Sequence, residues 1–387
     1  MRIPVLALAI LLTATNSFAA DLDKAERADK AAGSGVEPAA LRLTAEFTQE
    51  AAYTRNSDLE ETALTRTGLK LTAKKKFDEV DTQLRLKSEA TYEFASSEAL
   101  LWDNSAELKI EHKINDSLKH ALSVRARAKV EGDETDVEFE SQYKVEHTSE
   151  LAESELRVMV EHEAELLDAG DNDREDNWTV ASLSSRQVYL PENKLAPYVS
   201  TGIGWVQHAN VDTPTADRTG LDAYIAGGLR YKPSEMLEAS VGMRRNLRKT
   251  GDIAAASLQK NYIEAEITIK PFEEMELTGS VSRKFDQASA EGAVVNDVKE
   301  FAAAASFEFE DELTLELEAT HEIENAIGGD ELTKTTELSL TTEKQIFKHV
   351  ALTATLSKEW ETTTDLADGS KEKTSNLEAA ISVKATF

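Results

Sequence analysis

Residues 39–53 read Ala39-Ala-Leu-Arg-Leu-Thr-Ala-Glu-Phe-Thr-Gln-Glu-Ala-Ala-Tyr53. Ala39, Leu41, Leu43, Ala45, Phe47, Ala51 and Tyr53 take the odd positions, and Arg42, Thr44, Glu46, Thr48 and Glu50 fall between them. Successive side chains of a strand point to opposite faces, so a period of two is the signature of β structure. The segment reads as one long strand with an apolar face and a polar face.

The same alternation recurs along the chain. Leu84, Leu86, Ala90 and Tyr92 alternate with Arg85, Lys87, Glu89 and Glu93, and Leu122, Val124, Ala126, Ala128 and Val130 with Arg125, Arg127 and Lys129. Leu313, Leu315, Leu317 and Ala319 interleave with Glu312, Glu316 and Glu318. Such runs number about eighteen. Ala, Glu, Lys and Leu dominate the composition and favour helix by propensity, but periodicity sustained over so many segments outweighs that preference.

The connections alternate in length. Short turns fall near residues 78–79, 115–116, 148–150, 191–194, 233–234, 271–274, 310–311 and 348. Longer polar loops fall at 55–61, 95–98, 131–135, 167–177, 209–219, 248–256, 286–297, 325–333 and 362–374. Eight turns and nine loops are what eighteen antiparallel strands require when both chain ends lie on one side. The expected fold is all-β, a closed antiparallel transmembrane barrel with short periplasmic turns and longer extracellular loops. Residues 178–190 keep no clean parity, which leaves sixteen strands as the alternative count.

Composition narrows the function classes. The 387 residues carry 43 Lys and Arg against 72 Asp and Glu, a net charge of −29, with no cysteine, 17 glycines and 7 prolines. Collagen-like, disulfide-stapled and zinc-finger classes are excluded, and so acidic a chain repels nucleic acid. The mean hydropathy of −0.42 is that of a soluble protein. Arg2, the apolar run Ile3 to Ala14 and the small-x-small Ser17-Phe18-Ala19 read as an export signal over residues 1–19. Residues 20–37 form a short periplasmic N-terminal segment, a helix or a tail before the barrel at 38–387. No other apolar stretch approaches 18 residues, so an exported chain that enters a membrane does so without helices.

Three features point to the membrane. The last residues read Leu377-Glu-Ala-Ala-Ile-Ser-Val-Lys-Ala-Thr-Phe387, an alternating strand ending on an aromatic residue. This resembles the closing strand of Gram-negative outer-membrane β-barrels of the porin-like kind. The resemblance implies that Phe387 is the signal read by the outer-membrane assembly machinery. Aromatic residues also gather at strand ends: Trp102, Trp178, Trp205, Trp360, Tyr53, Tyr92, Phe94, Phe285 and Phe301 toward the outside, and Phe77, Tyr143, Tyr231, Phe272, Phe309 and Phe387 toward the periplasm. Membrane interfaces favour two such belts. Finally, the charges that break the apolar parity, Lys75, Arg245, Arg283, Lys344 and Lys358, fall in the last few residues of their strands. There a long side chain reaches the headgroups, whereas at the bilayer midplane it costs roughly 2–4 kcal/mol.

Catalytic and metal chemistry find little support. The seven histidines fit interfacial positions, and no serine and amide partner either His162 or His321 in the manner of a lipid-facing hydrolase. The acidic loop 167–177 lacks the spacing and glycine of a calcium loop. Neither an enzyme activity nor a cofactor nor a metal is expected.

The polar parity lines the expected lumen, and its charge is uneven. Arg66, Lys70 and Lys74 on the second segment, with Arg125, Arg127 and Lys129 on the fifth, make a basic wall. Glu308, Glu316, Glu318, Glu322 and Glu337, on segments fourteen to sixteen, make an acidic wall elsewhere on the ring. A transverse field of this kind suits small polar solutes, and the acidic excess favours cations. The alternative is that these charges pair with cross-strand neighbours and only keep the wall wet. The expected function is an outer-membrane channel for passive diffusion of small hydrophilic solutes, mildly cation-selective. Its expected surroundings are outer-membrane lipid and lipopolysaccharide. The rival readings are a sleeve or export conduit holding a periplasmic or lumenal protein partner or a polymer, and a non-conducting structural or adhesive barrel.

Overall fold

The computed structural model describes residues 41–57, 61–77, 79–93, 100–131, 134–166, 178–208, 219–250, 258–286, 295–309, 312–327 and 329–387. The expected leader 1–19, the segment 20–37, Phe94, the turn 310–311 and the acidic loop 167–177 lie outside them. Eighteen strands run in chain order: β1 Arg42–Asn56, β2 Glu61–Phe77, β3 Val80–Glu93, β4 Leu100–Asn115, β5 Leu118–Glu131, β6 Glu134–Thr148, β7 Ala152–Leu166, β8 Trp178–Tyr189 and β9 Leu195–His208. They continue as β10 Gly220–Ser234, β11 Leu237–Thr250, β12 Leu258–Phe272, β13 Met275–Asp286, β14 Val295–Phe309, β15 Leu313–Ile327, β16 Glu331–Phe347, β17 Val350–Asp365 and β18 Lys371–Thr386. Each strand pairs antiparallel with its chain neighbours, and β1 pairs with β18, so the sheet closes. Closure is completed by two backbone hydrogen bonds: the Phe387 amide donates to the Ala45 carbonyl at 2.8 Å, and the Ala45 amide donates back at 3.0 Å. The alternation did specify eighteen strands, including the irregular β8.

Strands of 12 to 17 residues exceed the roughly 9–11 that a tilted strand needs to span a bilayer. Their ends therefore stand in water on both faces, where the hydrogen-bonded ladder continues although the apolar alternation stops. This is why several expected loops are shorter. Thr362–Thr364 and Lys371–Lys373, read as loop from their polarity, pair with one another in β17 and β18.

The register assigns every residue to one of two faces. Leu43, Phe47, Ile225, Met243, Ile263, Phe272 and Ile381 share one face and are exposed. A monomeric soluble protein does not expose an apolar surface around its whole girth. On the other face side chains reach over intervening strands, Arg66 on β2 to Glu378 on β18 and Tyr198 on β9 to Glu264 on β12. Only the concave side of a barrel brings such residues together, so the apolar face is the outer one. Trp102, Trp205 and Trp360 lie on it at the loop end and are exposed. Trp178 also stands at the loop end, but its register partner Glu163 puts it on the inner face.

Lys358 is the ninth residue of sixteen in β17, further from the strand end than its sequence neighbourhood implied. The outer aromatic girdle on that strand is Trp360, and the Lys358 ammonium sits 5.1 Å from the centre of its ring. Lys75 makes the same contact with Phe77 at the other end, at 4.7 Å. Both cations are held at an interface by the ring that marks it.

One seam departs from the regular ladder. Among the described residues β12 and β13 pair only from Ala265 and Val281 toward the short turn. Beyond that level β12 stays with β11 and β13 with β14. At the seam Arg283 forms an ion pair with Asp297, and Lys260 reaches the same carboxylate at 3.1 Å.

Candidate functional site

The inner face divides into three sectors of different chemistry. The first runs from β18 through β7, where bases and acids interleave. Arg66 Nη1 donates to Glu50 Oε1 at 2.6 Å and to Glu378 Oε1 at 2.8 Å. Lys70 meets Glu46 at 3.0 Å, and Arg85 meets Glu107 at 2.6 Å. Arg127 grips Asp103 with two nitrogens, at 2.9 and 3.0 Å, and reaches Glu138 at 3.1 Å. Lys129 pairs with Glu131 at 3.3 Å. The two-pronged geometry of Arg127 on Asp103 is the stronger kind of charged hydrogen bond. Of the six basic residues singled out from the sequence, Lys74 and Arg125 form no ion pair among the described residues. Arg125 instead borders a shallow recess with Glu138, Glu140, Glu161, Glu163 and Trp178.

The second sector spans β14 to β17. Glu308, Glu316, Glu318, Glu322 and Glu337 occupy its inner face, together with Glu300, Glu359 and Glu361. None of these eight forms an ion pair among the described residues. Lys299, Lys334, Lys344 and Lys358, the lysines of these strands, all fall on the outer face by register. Glu300 stands opposite Glu322, and Glu337 opposite Glu359. Like charges directly across a strand pair repel, so this wall keeps its carboxylates hydrated and draws cations toward them.

The third sector, β8 to β12, was not singled out from the sequence. Small residues floor it: Ser200, Gly202 and Gly204 on β9, Ala226 and Gly228 on β10, and Gly242 on β11. Two tyrosines lie flat on that floor. A Cβ at Gly202 would strike the Tyr224 ring, one at Gly242 would strike the Tyr198 hydroxyl, and one at Gly228 would strike the Val241 carbonyl and Gly242 backbone of β11 as well as the Tyr198 ring. Tyr198 is almost fully buried, and its hydroxyl donates to Glu264 Oε1 at 2.9 Å. Val188, Ala196 and Tyr198 form the small apolar cluster that explains the broken parity of β8, whose Val188 faces inward. The available signal was glycine: six of the 17 lie between residues 202 and 242, and glycine inside a strand marks a close approach.

On the outer face, His112, His120 and Tyr143 cluster near the turn end, with His120 hydrogen-bonded to the Tyr143 hydroxyl. His162 and His321 meet Thr179 and Thr336, each at 2.9 Å. No group of three or more metal-ligating side chains occurs among the described residues.

A closed barrel with a lipid-facing exterior and a charged, hydrated interior defines a channel protein of the Gram-negative outer membrane. Residues 162–384 match the family described as "Putative beta-barrel porin 2", and the chain belongs to that family. No curated protein matches the sequence. Among solved structures the chain is similar to OccK2 of Pseudomonas aeruginosa, solved in complex with glucuronate. That likeness has a TM-score of 0.51 and 9% identity, covering 91% of this chain and 100% of the other. It is also similar to the siderophore receptor PirA of Acinetobacter baumannii, with a TM-score of 0.48 and 8% identity over 91% of this chain and 81% of that one.

Proposed function

We propose that the barrel is a passive channel for small hydrophilic solutes and that it prefers cations. The observation that carries this reading is the contrast between the lumen walls. Four of the six basic residues named on β2 and β5 are neutralised by partners at 2.6–3.3 Å, while the eight inner-face glutamates named above on β14 to β17 form no ion pair among the described residues. The field in the lumen is then governed by the unpaired carboxylates, and a permeating cation is stabilised along their wall. An eighteen-strand ring is wide enough for a water-filled bore. Diffusion through it requires no covalent step.

Two partners belong to the same reading. The exposed terminal Phe387, bonded into the closing ladder, fits recognition by the assembly machinery. The outer-face lysines Lys299 and Lys334, near the loop end of their strands, fit lipopolysaccharide phosphates. The deciding measurement is the reversal potential of the refolded protein in a planar bilayer under a KCl gradient. A potential of the sign set by potassium is expected; strong chloride selectivity would sink the proposal.

A further inference from the structure

The floor of small residues on β9 to β11 carries two arginines unlike the others in that sector. Arg230 is committed to Glu153 at 3.0 Å and to the Pro191 carbonyl at 3.0 Å, and Arg248 to Asp222. Arg186 has no ion pair among the described residues, is exposed to the lumen, and rests with its guanidinium carbon 5.0 Å from the centre of the Tyr198 ring. Arg244 stacks 3.7 Å over the Tyr224 ring. Its Nε donates to Asn246 Oδ1 at 2.8 Å, and its nearest carboxylate, Glu264, stands off at 3.9 Å.

Register sets these two arginines in one row. Arg186 lies opposite Ser200, Ser200 opposite Ala226, and Ala226 opposite Arg244. Three strand spacings separate them, roughly 14 Å between backbones. Each guanidinium is propped on a ring rooted between them, Tyr198 on β9 and Tyr224 on β10, so both lean over the same ground. Beneath them Ser200 Oγ and the Tyr224 hydroxyl are 3.4 Å apart. Stacking fixes the plane of each guanidinium while leaving edge N–H groups for a ligand. Planar donors held in this way suit a carboxylate, which accepts two parallel hydrogen bonds.

We propose that Arg186 and Arg244, held over Tyr198 and Tyr224, form a lumenal subsite for a small carboxylate-bearing solute, with the Ser200 and Tyr224 hydroxyls facing its remaining polar groups. The proposal deepens the channel reading and rests on it: the subsite is a local anion site in a lumen whose mean field favours cations. It fits solutes that carry a carboxylate together with hydroxyl groups.

Sodium gluconate is the probe, and sorbitol is the control of similar size without the carboxylate. In single-channel recordings gluconate is expected to reduce the current with saturation, and R186Q/R244Q to weaken that block at least fivefold. Sorbitol is expected to act only through viscosity. R186K/R244K keeps the charge and loses the planar fork, so it too is expected to weaken the block. Heat-modifiable gel mobility verifies that each variant folds. Equilibrium binding of radiolabelled gluconate to the micelle-held barrel separates the two readings. Conduction without saturable gluconate binding overturns the subsite alone. Saturable binding that R186Q/R244Q abolishes, in a barrel that passes no current, overturns the channel and keeps the subsite. Binding unchanged in R186Q/R244Q overturns the subsite whatever the conductance.

Discussion

The inner face of β1 to β7 and that of β14 to β17 are both rich in charge, and they use it in opposite ways. In the first, arginine and lysine alternate with carboxylates so closely that one guanidinium serves two strands, as Arg66 does for Glu50 and Glu378. In the second, carboxylates face threonines, serines and one another. The first sector spends its charge on its own cross-links and stiffens the wall. The second leaves its charge to whatever passes. Charge density alone therefore says little about a lumen; the pairing decides.

The largest expected effect comes from erasing the second sector. Replacing Glu316, Glu318, Glu322 and Glu337 together with Gln should bring the cation-to-anion permeability ratio down to about one. Replacing Arg66 and Arg127 with Gln should instead raise it, by releasing their acids. Shifts in the same direction from both sets would break the comparison.

Stability tests the other half. Arg127→Ala removes the guanidinium that grips Asp103 with two nitrogens and reaches Glu138, in a partly buried setting. A loss of about 1–2 kcal/mol is expected, discounted for solvent access, in urea unfolding from lipid vesicles followed by tryptophan fluorescence. Glu337→Gln removes a like charge from opposite Glu359, so the same assay should register a gain of roughly 0.2–1 kcal/mol. A loss there would mean that the wall is braced by its carboxylates after all.

The smallest effect belongs to the rim above the acidic wall, in the loop joining β17 to β18. The Ser370 amide donates to Asp368 Oδ1 at 2.7 Å and holds that carboxyl below the usual carboxylate range. A depressed folded value stabilises the loop above the ordinary pKa of about 3.9, and that contribution fades as pH falls through the folded value. A carboxyl-carbon NMR titration of Asp368 should therefore show a midpoint under the ordinary one. A midpoint at or above it would remove the bond from the account.

The strands were legible in the sequence because each one repeats a two-residue rule within its own span. So was the division into apolar and polar faces, down to the belt residues Trp102, Trp205 and Trp360. The partners of Arg66 were not: Glu378 stands 312 residues away in the chain, and only closure of β1 on β18 brings it near. Pairing depends on register between strands, which alternation within a strand does not encode. The Tyr198 and Tyr224 platform escaped for a related reason, since its glycines lie on three different strands and acquire meaning only when stacked side by side. Trp178 shows the limit from the other direction: a position at the strand end was readable, and the face it takes was not.

Gly202, Gly228 and Gly242 let two aromatic side chains lie along the wall instead of across the bore. A methyl group at Gly202 or Gly242 would tip a ring toward the axis, so two missing side-chain carbons help to set the calibre of the passage, while one at Gly228 would also strike the backbone of β11. The aperture of this sector can then be changed by a point mutation at Gly202 or Gly242, with no loop rebuilt.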